Sequence, residues 1–155
     1  MDIIHDNAAD LSALNGKTVA VIGYGAQGRA QALCMRDSGV NVIIGVRPGK
    51  SFDAATQDGF QVMTVAEAAD KADIIHILLP DESHGSVYEA EIKPHLKAGK
   101  TLCCSHGFAY VFNTIVPPAD VDVIMVAPKG PGTEVRRVFE EGFGCPGLIA
   151  VHQNP

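Results

Sequence analysis

The sequence predicts an α/β fold, a doubly wound and mostly parallel sheet with helices on both faces, on three observations. Short apolar runs alternate with amphipathic segments, which is how strands buried on both faces read when helices cover them. Gly39, Gly59 and Gly99 fall just past apparent helix ends, where a left-handed residue is favoured. A glycine-rich turn, residues 23–28, joins the first apolar run to the first helical segment.

Taken in order, the apolar runs place strands at residues 17–23, 41–47, 61–65, 73–79, 101–105, 122–127 and 147–152. Each is four to eight residues long and bounded by turn formers, the length and punctuation of a buried strand. The segments between them predict helices at 26–38, 51–58, 66–71, 83–96 and 133–141. Parallel sheets bind ligands beyond their carboxyl edge, so five polar or glycine-rich segments that follow strands become the places to inspect. They are residues 23–28, 47–51, 80–84, 105–108 and 128–132.

With 155 residues and 46% apolar content the chain builds one core, so a single domain over 1–155 is expected, its folded unit beginning near residue 15. Twelve basic against 18 acidic residues give a net charge of −6, the wrong sign for competing for a polyphosphate backbone, and nucleic acid is excluded as a partner. No basic n-region with an apolar h-region opens the chain, and no apolar run reaches the roughly 18 residues of a membrane helix. A cytoplasmic protein is expected. Cys34, Cys103, Cys104 and Cys145 show neither a C-x-x-C pair nor zinc-like spacing and read as reduced packing thiols.

Gly23-Tyr24-Gly25-Ala26-Gln27-Gly28 fits G-x-G-x-x-G between Val19-Ala20-Val21-Ile22 and a helix. The first glycine permits the tight turn, the second lets backbone approach a pyrophosphate, and the third allows close helix-to-strand packing. The free N–H groups and positive dipole end of the helix then favour an anion. The fold is thus of Rossmann type. About 20 residues on, NAD-binding versions place an acid for the ribose hydroxyls. Here the second strand ends in Gly45-Val46-Arg47, followed by Pro48-Gly49-Lys50-Ser51. A guanidinium, an ammonium and a hydroxyl at that point suit a 2′-phosphate, and NADPH is favoured over NADH. Asp53 would oppose a phosphate but falls within the next helix.

Beyond these features, the sequence resembles the ketol-acid reductoisomerase family over nearly its full length. The resemblance is carried by the glycine motif, Met35-Arg36-Asp37-Ser38-Gly39, Leu79-Pro80-Asp81-Glu82, Ser105-His106-Gly107-Phe108, Val126-Ala127-Pro128-Lys129-Gly130-Pro131-Gly132 and Leu148-Ile149-Ala150-Val151-His152. It implies NADPH- and magnesium-dependent isomerisation and reduction of 2-acetohydroxy acids such as 2-acetolactate, in valine and isoleucine biosynthesis. It also implies cofactor contacts from Tyr24 to Gln27, from Arg47 and Ser51, from Asp81, Glu82, Ser83 and His84, and from Gly132, to which the glycine loop, the basic turn and the strand ends add Gly23, Gly28, Lys50, Leu79 and Pro80. His106 falls at the position implied to be catalytic and Lys129 at a polar active-site position. The family commonly has one more Ser between Gly49 and Lys50, which bears on the strength of the NADPH preference. The family's helical domain, whose carboxylates hold two magnesium ions, is not within these 155 residues. The isolated chain is therefore expected to bind NADPH without turnover, and the complete enzyme to be a homo-oligomer.

The residues themselves suit these roles. His106 leaves a buried strand at the ligand edge, where an imidazole can pass a proton. Lys129 follows Val123-Ile124-Met125-Val126-Ala127-Pro128, so a partly buried ammonium near a substrate oxygen is expected. His76 lies inside a strand and reads as packing. No paired-carboxylate spacing makes an all-protein metal site. Two other readings stay open: a non-catalytic NADPH-binding module, and another hydroxyacid or imine dehydrogenase sharing only the Rossmann half.

Overall fold

The structure, a computed structural model, describes residues 3–155. Its strands are β1 Thr18–Ile22, β2 Asn41–Gly45, β3 Gln61–Met63, β4 Ile74–Ile77, β5 Thr101–Cys104, β6 Asp122–Pro128 and β7 Gly147–Gln153. The helices between them are α1 Ala26–Asp37, α2 Lys50–Gln57, α3 Val65–Lys71, α4 Asp81–Val87, α5 Phe108–Val111 and α6 Gly132–Glu140. One seven-stranded sheet runs in the order β3-β2-β1-β4-β5-β6-β7. The first six strands are parallel, and β7 returns antiparallel to β6.

Alternation along the strands divides the core in two, because successive side chains leave opposite faces. Val19, Val21 and Ile44 pack with Ala32 and Leu33 of α1 and Ala55 of α2. Ala20, Ile22, Ile75 and Ile77 face the other way, onto Ala68 and Ala69 of α3, Tyr88 and Ala109. Helices therefore cover both faces, as a parallel sheet requires. The strand order reverses between β1 and β4, and ligands bind at such a switch point.

Three elements differ from the sequence-based expectation. The helix expected over 83–96 is three pieces: α4, a π turn at Tyr88–Ile92 and a 3-10 turn at Lys93–His95. Pro94 has no N–H to donate and its ring bars a regular helix through this turn. The wide turn still buries Tyr88 and Ile92 fully, with the Tyr88 hydroxyl donating to the Val116 carbonyl at 3.0 Å. The single turn of α5 is too short to leave a period in the sequence. Helix α3 begins at Val65, one residue early, because Thr64 and Glu67 cap each other reciprocally, which satisfies two N-terminal N–H groups.

β7 is clad in apolar side chains that its surroundings do not cover. Ile149 and Val151 are 66% and 68% exposed, and β6 is its sole neighbour among the described residues. No helix of the described residues is long and apolar enough to cross a membrane. Cys103 and Cys104 are buried, and burial pushes the Cys103 thiol up to about 12, so both act as packing groups.

His76 sits on β4 at 5% exposure, and burial alone lowers its pKa from 6.5 to about 4. Between those two values an unfolded chain takes up a proton that the folded chain refuses. Stability is thus complete above pH 6.5 and falls as the pH drops toward 4, by about 3 kcal/mol in all. Chemical denaturation of the chain and of His76→Gln at pH 7 and pH 5 checks this. The substitution should flatten the pH dependence; an unchanged slope would place it on other groups.

Candidate functional site

A cleft of about 900 Å³ opens at the carboxyl edge of the sheet, and residues 23–27, 45–51, 77–81, 83, 84, 105, 106 and 128 line it. Four segments expected to reach this edge, those after β1, β2, β4 and β5, supply most of it. Gly23 turns the chain at φ +100°, where a side chain would also meet the Leu78 carbonyl at 2.7 Å. Beyond it α1 starts at Ala26, and Gly25 offers no side-chain cap. The first N–H groups of the helix are left for an anion.

The turn after β2 carries Arg47 and Lys50, both exposed, with Ser51 half-buried beside them. Neither cation has a carboxylate within ion-pair distance among the described residues. Asp53 lies on α2 outside the cleft lining, so it does not oppose them there. After β4, Leu79, Pro80, Asp81, Ser83 and His84 line the cleft, whereas Glu82 is exposed and does not. His84 is buried; its Nε2 donates to the Leu79 carbonyl at 2.8 Å, which leaves Nδ1 a bare acceptor without a partner among the described residues. An unpaired buried acceptor beside a cleft fits a ligand that brings an N–H donor.

His106, at the exit of β5, is 68% exposed in its side chain. Its Nδ1 accepts the Phe108 backbone N–H at 3.2 Å and lies 3.7 Å from an Asp81 carboxylate oxygen. The neutral ring then carries its proton on Nε2. Lys129 is exposed rather than partly buried, and only its neighbour Pro128 reaches the cleft. The Lys129 backbone is held by its N–H donating to the Pro146 carbonyl at 2.7 Å. Gly28 and Gly132 lie outside the lining and act through close approach: a methyl on Gly28 would overlap the Gly23 carbonyl, and one on Gly132 the Ala26 carbonyl. Among the described residues no three His, Cys, Asp or Glu side chains gather to hold a metal ion.

Two sets of contacts that support this edge escaped the reading of the sequence. The Tyr24 hydroxyl donates to Asp58 at 2.7 Å, and Arg29 donates to the same carboxylate at 2.7 and 3.0 Å. Arg29 holds Asp58 below the usual carboxylate range, while burial and then the Asp58 carboxylate push the Tyr24 phenol up. This ties the phosphate loop to the far end of α2, whose beginning bears Lys50 and Ser51. In sequence Asp58 precedes a helix-ending Gly59 and reads as a terminus only. In the second set Gln31 joins Gln27 to Ser105 in the loop after β5, and Gln27 itself donates to Gly130 in the loop after β6.

Comparison with known proteins fits this geometry. Residues 13–155 match the family described as acetohydroxy acid isomeroreductase, NADPH-binding domain. Ketol-acid reductoisomerase (NADP(+)) of Akkermansia muciniphila is 97% identical over the whole chain, which covers 48% of that relative. The enzyme of the same description from Methanococcus maripaludis is 59% identical over 97% of this chain and 46% of its own length. The solved structure of an NADH-preferring ketol-acid reductoisomerase from an uncultured archean superposes with a TM-score of 0.96 at 58% identity, covering 100% of this chain and 49% of that one. The chain spans about half the length of the curated relatives it matches. From its glycine loop to its last strand, this chain belongs to the acetohydroxy acid isomeroreductase family, as its NADPH-binding domain.

Proposed function

We propose that the chain is the cofactor-holding half of a ketol-acid reductoisomerase. That enzyme isomerises a 2-acetohydroxy acid such as 2-acetolactate and reduces it to a 2,3-dihydroxy acid in valine and isoleucine biosynthesis. One observation carries the reading: the uncapped start of α1, the Arg47 to Ser51 turn and His106 open into the same cleft. Residues 23–27 would hold the diphosphate, Arg47, Lys50 and Ser51 the 2′-phosphate, and Leu79 to His84 the nicotinamide side. NADPH supplies the hydride. His106 holds or passes a proton at Nε2, since its Nδ1 is engaged by the loop.

Lys129 stands at the rim, where its ammonium can meet a substrate oxygen without metal ligands of its own. Carboxylates that hold magnesium come from a helical domain outside these residues, and the complete enzyme is a cytoplasmic homo-oligomer. A sharply different cofactor preference is the second reading, because a relative at 58% identity is described as NADH-preferring. Calorimetric titration with both cofactors decides between them. NADPH should bind more tightly, and Arg47→Ala should weaken NADPH about tenfold, the worth of one exposed charge-assisted contact, with little effect on NADH. Equal affinities for the two cofactors would mean that the turn does not read the phosphate.

A further inference from the structure

Four polar side chains form a connected chain across the ligand edge. Gln31 Nε2 spends its two N–H groups on Gln27 Oε1 at 3.1 Å and Ser105 Oγ at 3.2 Å. Gln27 Nε2 donates to the Gly130 carbonyl at 2.8 Å. Ser105 Oγ donates its one proton to the Val126 carbonyl at 2.7 Å, so it can only accept from Gln31 and from His76 Nε2 at 3.3 Å. Each amide has one workable orientation, because reversing either would oppose two donors or two acceptors.

The ends of this chain matter more than its middle. Gln27 lies in the phosphate loop, Ser105 is bonded to His106, and Gly130 to Lys129. The two loops also touch directly, since Gly132 sits so close to the Ala26 carbonyl that no methyl would fit between them. We infer that Gln31, linking Gln27 to Ser105, is a positioning residue that transmits occupancy of the phosphate loop to the loop carrying His106, while Gln27 itself reaches the loop carrying Lys129. This rests on the cofactor reading above. A diphosphate on the start of α1 orders Gln27, and the fixed hydrogen-bond directions leave the two neighbouring loops one arrangement. The chain holds few of the domain's hydrogen bonds, and each contributes about 1 kcal/mol, so removing a link leaves the fold intact.

Hydrogen exchange of residues 1–155, with and without saturating NADPH, tests the inference. The amides to follow are Phe108, which donates to His106, and Lys129, which donates to Pro146. NADPH should slow both about 10-fold in the unaltered chain; in Gln31→Met the slowing should fall below about 2-fold at Phe108 and persist at Lys129, whose loop Gln27 reaches directly through Gly130, while the dissociation constant changes less than about 3-fold. Ser105→Ala cuts the link to the His106 loop from the other side, so it should abolish the slowing at Phe108 even where Gln31→Met folds poorly. The double variant should lose no more at Phe108 than either single one, because the two substitutions break one link. Equal slowing at Phe108 in variant and unaltered chains, or additive losses there, would overturn the positioning role. Failure of the unaltered chain to bind NADPH would overturn the cofactor reading and this inference together.

Discussion

Residues 1–155 bind NADPH but show no conversion of 2-acetolactate, even with magnesium and cofactor saturating: this is the expected result of the simplest assay. Alkyl migration needs metal ions on the substrate's oxygens to stabilise the charge that develops there. Magnesium takes oxygen ligands in near-ideal octahedral geometry, usually through one or two carboxylates. Around the cleft the described residues offer His84, His106, the nearby Lys129 and the carboxylates of Asp81 and Glu91, and no gathering of three ligand side chains. Supplying the relatives' second half, fused or in trans, should restore loss of NADPH absorbance that depends on both magnesium and acetolactate. In that restored protein His106→Ala should lower the rate about 100-fold while leaving NADPH affinity nearly unchanged, the range expected for loss of one acid–base group. Magnesium-dependent turnover by residues 1–155 alone would mean that they carry metal ligands of their own.

The second large effect is expected from Gly25→Val. At this position φ is −79°, ordinary for any residue, and an added Cβ meets nothing within 4 Å. The variant should fold and melt like the unaltered chain. Its branched methyls, however, project into the space a diphosphate needs to reach the start of α1. Crowding of that kind costs about 1–3 kcal/mol, so NADPH and NADH should both weaken about 10- to 100-fold. The contrast with Arg47→Ala, which weakens chiefly NADPH, separates the shared half of the cofactor from the half that differs. Retained affinity in Gly25→Val would leave the glycine turn a purely structural one.

Much of this was legible in the sequence because it is encoded locally. The runs Val19–Ile22 and Val42–Ile44 name their strands by composition, and the glycine motif names its own turn. Strand order and the position of the cleft then follow from general rules of parallel sheets. What remained hidden depends on pairings across long sequence separations. Asp58 meets Tyr24 from 34 residues away, and Ser105 meets Gln31 from 74. Nothing beside Asp58 or Ser105 in the chain marks the distant partner of either. The exposure of Lys129 was hidden for the same reason: an apolar approach through Val126 and Pro128 suggests burial, but β6 lies next to an edge strand that covers it poorly. The end of the helical stretch near Lys93 was readable in Pro94, whereas the π turn that follows Val87 was not, since it follows from burying Tyr88 and Ile92 together.

The uncovered last strand has a colloidal consequence. A strand that presents an unpaired row of N–H and C=O groups beneath apolar side chains is a template for another strand. For two copies of this chain the obstacle to such pairing is their mutual repulsion, at a net charge of −6 each. Salt shortens the reach of that repulsion to about 8 Å at physiological strength, and mild acid near the isoelectric point of about 5.4 cancels the net charge. Dilute, weakly alkaline, low-salt solution therefore favours the separate molecule, and concentrated acidic brine favours chains joined edge to edge through β7.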